Sequence, residues 1–354
     1  MSLWPNSSSP AVLNASSGPD FRSVFTEEVL PPLYLCLFVV GLLLNALASW
    51  VFCAVSSDAA LVVYLKNMLV ADLLMLSSFP FRLLARLSVG GWRLHVLMCR
   101  YTAVLFYSSM YTGVMFMGLI SLDRYVKIVR HSHPNTGSLQ NIPGFASLVA
   151  VCTWGVMLLC ALPNVLLTSR EANEENARRC VALKTPLGVR WHQVSTFFSV
   201  GVFWLTLVVM ATCYSRIAVH VWRSYRRVRS NNNNATTSAC RKSSRSILSL
   251  LLVFAVCFVP YHVCRVPYTR TQGEALVWVL FQLKEATLVL AAANVCLDPV
   301  VYFLMCRAFR DALLHKLPPT EKKNKLRDGN TVLHGLSNIY GSNFYVTEVS
   351  ALFR

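Results

Sequence analysis

Seven stretches of this chain are long and apolar enough to cross a membrane, at about residues 31–55, 62–84, 97–123, 144–167, 193–219, 246–268 and 278–304. A helix needs about 20 mostly apolar residues to span the hydrocarbon. Lipid offers no partner to a free N–H or C=O, so a span must pair its own backbone, and an open strand cannot. Seven such runs joined by short polar connections predict an all-α membrane protein, a seven-transmembrane helix bundle. Composition leads to the same place: 55% of the residues are hydrophobic and 14% charged, with a mean hydropathy of +0.49. A water-soluble or disordered chain carries more charge, and 15 Gly in 354 residues exclude collagen.

The formal net charge of +17 would suggest nucleic acid in a soluble protein, so its distribution decides its meaning. With the amino terminus outside, 20 of the 33 Lys and Arg fall on the cytoplasmic side, as the positive-inside rule requires. An odd number of spans then leaves the carboxyl terminus in the cytoplasm. The third inner loop carries Arg223, Arg226, Arg227 and Arg229, then Asn231 to Asn234, then Arg241, Lys242 and Arg245. Anionic headgroups and topology account for that charge. A nucleic-acid polymer would need a soluble basic face with stacking aromatics, which this loop lacks.

Three regions follow: a tail over 1–29, a membrane domain over 30–317 and a polar, disordered cytoplasmic tail over 318–354. The first tail shows no signal-peptide pattern and contains the glycosylation acceptors Asn6 and Asn14. Asn234 matches the same triplet on the inner side, so the signal orients the chain only weakly. Phe309, Leu313, Leu314 and Leu317 share a helical face in a segment that also carries Arg307, Arg310 and Lys316, which predicts a short amphipathic eighth helix on the inner leaflet. Pro318 and Pro319 end it. Most of the 12 cysteines sit in apolar runs and behave as small hydrophobes, and no spacing fits zinc or an iron-sulfur cluster. No firm metal site is expected.

Motifs separate the seven-helix classes. Asp123-Arg124-Tyr125 stands at the inner end of the third run, Asp72 in the middle of the second and Asn45 in the first. Trp154 lies in the fourth, Cys257-Phe258-Val259-Pro260 in the sixth, and Asp298-Pro299-Val300-Val301-Tyr302 in the seventh. An intramembrane Asp123/Arg124 pair is a poor stabiliser and a good switch, although Arg124 could also snorkel to headgroups. Pro260 and Pro299 each remove a backbone donor and kink their helices. The ordered set resembles the rhodopsin-like (class A) G-protein-coupled receptors over residues 30 to about 317.

The resemblance implies a receptor rather than an enzyme, at the plasma membrane, activating a heterotrimeric G protein and meeting arrestin and receptor kinases. It implies that Asp123, Arg124, Tyr125, Tyr214, Asp298, Pro299 and Tyr302 form the G-protein switch, and that Cys99 and Cys180 form a disulfide over the pocket mouth. It also implies a buried acid site at Asp72, Asn294 and Asp298. There Gly113 replaces a usual hydroxyl and Phe258 a usual Trp, so the site would hold either a sodium ion or a proton shared between the two acids.

Finer text narrows the family. Tyr64-Leu65-Lys66-Asn67, Phe106-Tyr107 with Met110-Tyr111, and Pro186 to His192 all carry the resemblance. So do Pro260-Tyr261-His262, Arg265 to Thr269 and Lys284 to Thr287. Together they resemble the purinergic nucleotide receptors of the inhibitory-G-protein branch, the ADP and UDP-sugar receptors and their orphan relatives. The residues themselves favour an anion: Arg82, Lys184, Arg265 and Lys284 gather near the outer ends, and each charge-assisted bond to phosphate contributes about 1.5–3 kcal/mol. By resemblance, Arg265, Lys284, Tyr268 and Lys184 hold phosphate, with Arg82 nearby. Tyr107, Met110, Tyr111, Asn164, His192 and His262 then line the remainder. Tyr107 and Tyr111, four apart, would serve as well as a packing stripe.

Two departures bear on the ligand. Residues 1–35 and 269–282 contain no Cys, so the second outer disulfide of that branch is missing, and Thr196 stands where ADP-type sites offer Asn. The phosphate end is kept and the base end altered. That leaves a nucleotide, a nucleotide sugar or a lysophospholipid such as lysophosphatidic acid as the phosphate-bearing ligand, or a non-signalling role. A transporter lacks a visible internal repeat here, and a hydrolase lacks HExxH or GxSxG.

Overall fold

A computed structural model describes the backbone of residues 23–87, 89–130, 144–174, 176–177, 180–229, 234–270 and 274–316. Asn6, Asn14, residues 231–233, the side chains of Arg227, Arg229, Arg241, Lys242 and Arg245, and everything from 317 onward lie outside the described residues. Among the described residues, seven helices are long and apolar enough to cross a membrane: α1 (Phe25–Phe52), α2 (Ala60–Arg86), α3 (Gly91–Val129), α4 (Phe145–Leu166), α5 (Pro186–Arg223), α6 (Ser249–Tyr268) and α7 (Ala275–Met305). A short α8 (Arg307–Lys316) follows, and no strand occurs among the described residues.

Several helices begin earlier than hydropathy alone places them, because polar caps extend them past the apolar run. At the start of α1, the Ser23 and Thr26 side chains each accept the other's backbone N–H, at 3.1 and 3.0 Å. That reciprocal cap, with Glu27 and Glu28 in the first turn, starts the helix at Phe25 rather than 31. Thr185 Oγ1 accepts the Gly188 N–H at 3.1 Å and Pro186 opens α5, a cap that hydropathy cannot register. Gly90 and Gly91, at φ +85° and +59°, allow the left-handed turn that starts α3 at Gly91 instead of 97.

The helix containing α5 runs continuously to Arg229, and the one containing α6 extends from Asn234 to Arg270. Helix α3 runs through the core: Phe106, Met110, Val114, Phe116, Met117 and Ile120 are fully buried. Between α5 and α6, Phe203 stacks on Phe254 and Phe254 meets Phe258, each pair with centroids 5.5 Å apart and all three rings buried. Many Leu, Val and Trp side chains of α1, α4 and α5 are exposed, such as Leu43, Leu159 and Leu205, as befits faces turned to lipid.

Proline chemistry accounts for one of the internal ties. Pro299 has no N–H, so the carbonyl four residues earlier, on Val295, loses its helical donor. The Asn45 side chain of α1 supplies one instead, donating Nδ2–H to Val295 O at 2.7 Å and to Gly41 O at 2.8 Å. Helix α7 is also interrupted at Ala293, between the segments Glu274–Ala292 and Asn294–Met305. At the start of α8, Phe309 is buried against Phe52 and Tyr302, with ring centroids 4.8 and 6.2 Å away.

Candidate functional site

The end of the bundle that carries the Cys99–Cys180 disulfide, which joins α3 to the α4–α5 loop, also gathers the cations. They form two groups with Tyr107 between them. On the α2 and α7 side, Arg82 stands over the Phe106 ring at 4.0 Å and donates to the Tyr34 hydroxyl at 3.4 Å. Arg86, one helical turn on, forms a salt bridge with Glu285. Lys284 Nζ reaches the other Glu285 oxygen at 2.6 Å and lies over Tyr268 and Phe281, at 5.2 and 4.5 Å. Glu285 is buried, so one carboxylate neutralises much of the charge of two cations.

The α3, α5 and α6 side has no such acid among the described residues. Arg265 donates to the Tyr111 hydroxyl at 2.9 Å and to Thr196 Oγ1 at 3.5 Å, and its guanidinium stands 5.4 Å from the Tyr107 ring. Lys184, in the α4–α5 loop, is buried with one hydroxyl as hydrogen-bond partner, Thr168 Oγ1 at 3.2 Å. Burial pulls its ammonium below the ordinary lysine pKa. Among the described residues, no carboxylate lies within 4.0 Å of Arg82, Lys184 or Arg265.

The remaining expected pocket residues divide by depth. Tyr107 and Tyr268 are half-buried at the cations, and His192 is exposed. Asn164 is buried between α4 and α5, donating to Ser195 Oγ at 3.1 Å. Met110, Tyr111 and His262 are buried below Arg265, with His262 stacked on Phe203 at a centroid distance of 3.6 Å. The geometry thus brings Arg265, Tyr107, Lys284 and Arg82 together and keeps Met110 and His262 in the packed layer. Two members escaped sequence reading. Arg86 had a signal, since i and i+4 share a helical face with Arg82; Tyr34 had none.

Deeper in the bundle, Tyr302 donates to Asp72 Oδ2 at 2.6 Å, and Asn294 Nδ2 donates to Asp298 Oδ2 at 3.3 Å. Asn294 Oδ1, Asp298 Oδ1 and Ser109 Oγ are buried without a hydrogen-bond partner. A Cβ at Gly113, one turn from Ser109, would meet nothing within 4 Å. The orphaned oxygens of Asn294 and Asp298, with two buried acids, fit a small hard cation. No group of three or more His, Cys, Asp or Glu suited to a metal occurs among the described residues.

At the opposite end, Asp123 is fully buried and pairs with Arg124 at 3.3 Å and Lys127 at 2.8 Å. Tyr214 is tied to Ser121 at 2.7 Å, Trp154 donates to Asn67 at 2.9 Å, and Tyr125 is half-buried. A buried carboxylate shared by two cations is a restraint that can be released, the arrangement expected of a signalling helix bundle.

Residues 44–302 match the 7 transmembrane receptor (rhodopsin family) model, and the chain belongs to that family. Within it the chain falls in the purinoceptor branch of G-protein-coupled receptors, the branch of the nucleotide receptors. It is 42% identical over 316 residues to purinoceptor 14 of Bos taurus, covering 86% of this chain and 92% of the relative. It is 39% identical to G-protein coupled receptor 87 of Mus musculus, with 89% and 87% covered, and 38% identical to purinoceptor 13 of Homo sapiens, with 81% and 80% covered. Membership makes it a multi-pass plasma-membrane receptor for an extracellular small molecule, acting through a G protein, in a family of signalling receptors rather than enzymes.

Proposed function

We propose that this receptor binds an extracellular nucleotide or nucleotide sugar through its phosphates and activates a G protein of the inhibitory class. One observation carries the reading: Arg265, Lys184 and Arg82 converge at the disulfide end with no carboxylate partner among the described residues, so an anion would complete them. Lys284 and Tyr268 border the same space, and the tyrosine faces, Tyr107 first, suit a base or sugar. The disulfide end faces outside and the Asp123 end meets the G protein, then arrestin and receptor kinases. The test is G-protein activation in expressing cells given ADP, UDP-glucose or lysophosphatidic acid, with Arg265→Ala as control. A response to a nucleotide, lost in the variant, supports the reading. A response to lysophosphatidic acid alone, or to none of the three at good surface expression, overturns it.

Lys184 gives this pocket a pH signature. Its lowered pKa means the free receptor holds fewer protons there than the anion-bound receptor, because a phosphate beside the ammonium raises its pKa again. Binding therefore takes up protons, and affinity falls as pH rises through the lowered lysine pKa. Phosphate, with its second pKa at about 6, is fully ionised over that range and contributes no slope. Agonist affinity measured between about pH 7 and 10 should decline, and Lys184→Arg should flatten the curve.

A sodium ion near Asp72 belongs to the same proposal, held by Asp72, Asp298 and Asn294. It would neutralise buried negative charge and favour the resting bundle. Raising sodium should weaken agonist affinity a few-fold, and Asp72→Asn should remove the effect; Gly113→Ser, which restores a hydroxyl into open space, should deepen it.

A further inference from the structure

We infer that Tyr111 is a positioning residue: its hydroxyl aims Arg265 and, through the same oxygen, latches α6 to α3 in the resting receptor. Valence fixes the direction of every bond around it. A guanidinium only donates, so Arg265 gives its proton to the Tyr111 oxygen, at 2.9 Å. The Phe258 carbonyl only accepts, so His262 carries a proton on Nδ1 and donates it, at 2.8 Å. The His262 ring is fully buried and so neutral, which leaves Nε2 as the acceptor of the single phenolic proton of Tyr111, at 3.0 Å. The chain runs Arg265 to Tyr111 to His262 to the backbone of Phe258, and each group has one part to play.

Burial assigns this chain to mechanics rather than ligand contact. Tyr111 is 2% exposed and His262 0%, so neither polar atom can meet a molecule in the mouth of the pocket. Three of the four groups lie on α6 and flank Pro260, which has no N–H and leaves the Val256 carbonyl without its helical donor. Helix α6 is weakened there, as it is again at Pro267. Both Tyr111 bonds grip its outer half, immediately beyond the weak point, while the His262 ring is braced flat against Phe203 of α5. An anion that draws Arg265 into the pocket competes with Tyr111 for the same guanidinium, and loss of that bond leaves the Tyr111 hydroxyl tied to α6 through His262 alone. The release step rests on the anionic-ligand reading; the restraint does not.

The test therefore needs no ligand. Purified receptor in lipid nanodiscs is assayed for ligand-free nucleotide exchange on heterotrimeric G proteins, one of each major class. Tyr111→Phe keeps the ring and deletes the hydroxyl, and should raise the ligand-free rate about tenfold, equivalent to ~1.4 kcal/mol. Thr112→Val, which removes a buried α3 hydroxyl that bonds its own helix at Ser108 O, 2.8 Å away, should leave it unchanged. Hydrogen–deuterium exchange over residues 258–268 should quicken in the first variant and not the second, which separates unlatching from misfolding. An unchanged ligand-free rate in Tyr111→Phe across all the G proteins, or an equal rise in Thr112→Val, overturns the latch. If the latch variant behaves as expected while wild-type receptor answers no anionic agonist, the pocket reading fails and the latch stands.

Discussion

Arg265→Ala should shift the agonist dose–response by about 100-fold or more at unchanged surface expression, the largest effect of any single pocket substitution. A guanidinium without a carboxylate partner offers a phosphate charge-assisted bonds of about 1.5–3 kcal/mol each, and two of them reach that factor. Lys284→Ala should cost less, about tenfold, because its ammonium already lies 2.6 Å from Glu285 and gives up part of that contact to reach a ligand. Arg265→Lys should fall between, keeping the charge and losing the planar fork. Glu285→Gln should move the other way and tighten binding, since it frees Lys284 and Arg86 together. The four dose–response curves, read in one assay, check the order. A larger loss for Lys284→Ala than for Arg265→Ala would mean that the acid-paired side of the pocket, not the bare side, holds the phosphate.

That ordering was not legible in the sequence, although most of the cations were. Hydropathy locates the seven spans because each must exclude lipid from its backbone, and the family motifs locate Asp72, Asp123, Arg265 and Pro299 along them. Where a helix starts depends on caps such as Ser23/Thr26 and Thr185, whose polar residues lie outside the apolar window. Which way a residue faces depends on helix rotation and tilt, set by packing across the bundle. Tyr107 and Tyr111 are four apart and read alike, yet one borders the cations and the other is sealed beneath them. Glu285 sits beside Lys284 in the chain, but its second partner, Arg86, is 199 residues away. Asn45 could be placed in α1 by motif; its bond to the carbonyl that Pro299 frees needs the two helices side by side.

At the other end of the bundle, Asp123→Asn should raise ligand-free signalling several-fold while changing stability little. The carboxylate is fully buried, and Asn keeps its shape while removing its charge, so the desolvation cost of the ion and its attraction to Arg124 and Lys127 vanish together. Arg124 and Lys127 are partly exposed and regain water when the carboxylate is neutralised, so the loss of stability stays below the ~3–5 kcal/mol of breaking a fully buried pair. The switch has no such compensation, because the charge is what holds the Arg124 side chain at its own helix. Lys127 gives the argument a second arm. Its Nζ lies closer to Asp123 than the guanidinium does, 2.8 against 3.3 Å, but its side chain is 38% exposed and water screens the contact. It competes with Arg124 for one carboxylate and so loosens the resting pair. Lys127→Ala should therefore lower ligand-free exchange where Asp123→Asn raises it. If both substitutions raise it, Asp123 acts through Lys127 as much as through Arg124, and the restraint belongs to all three charges.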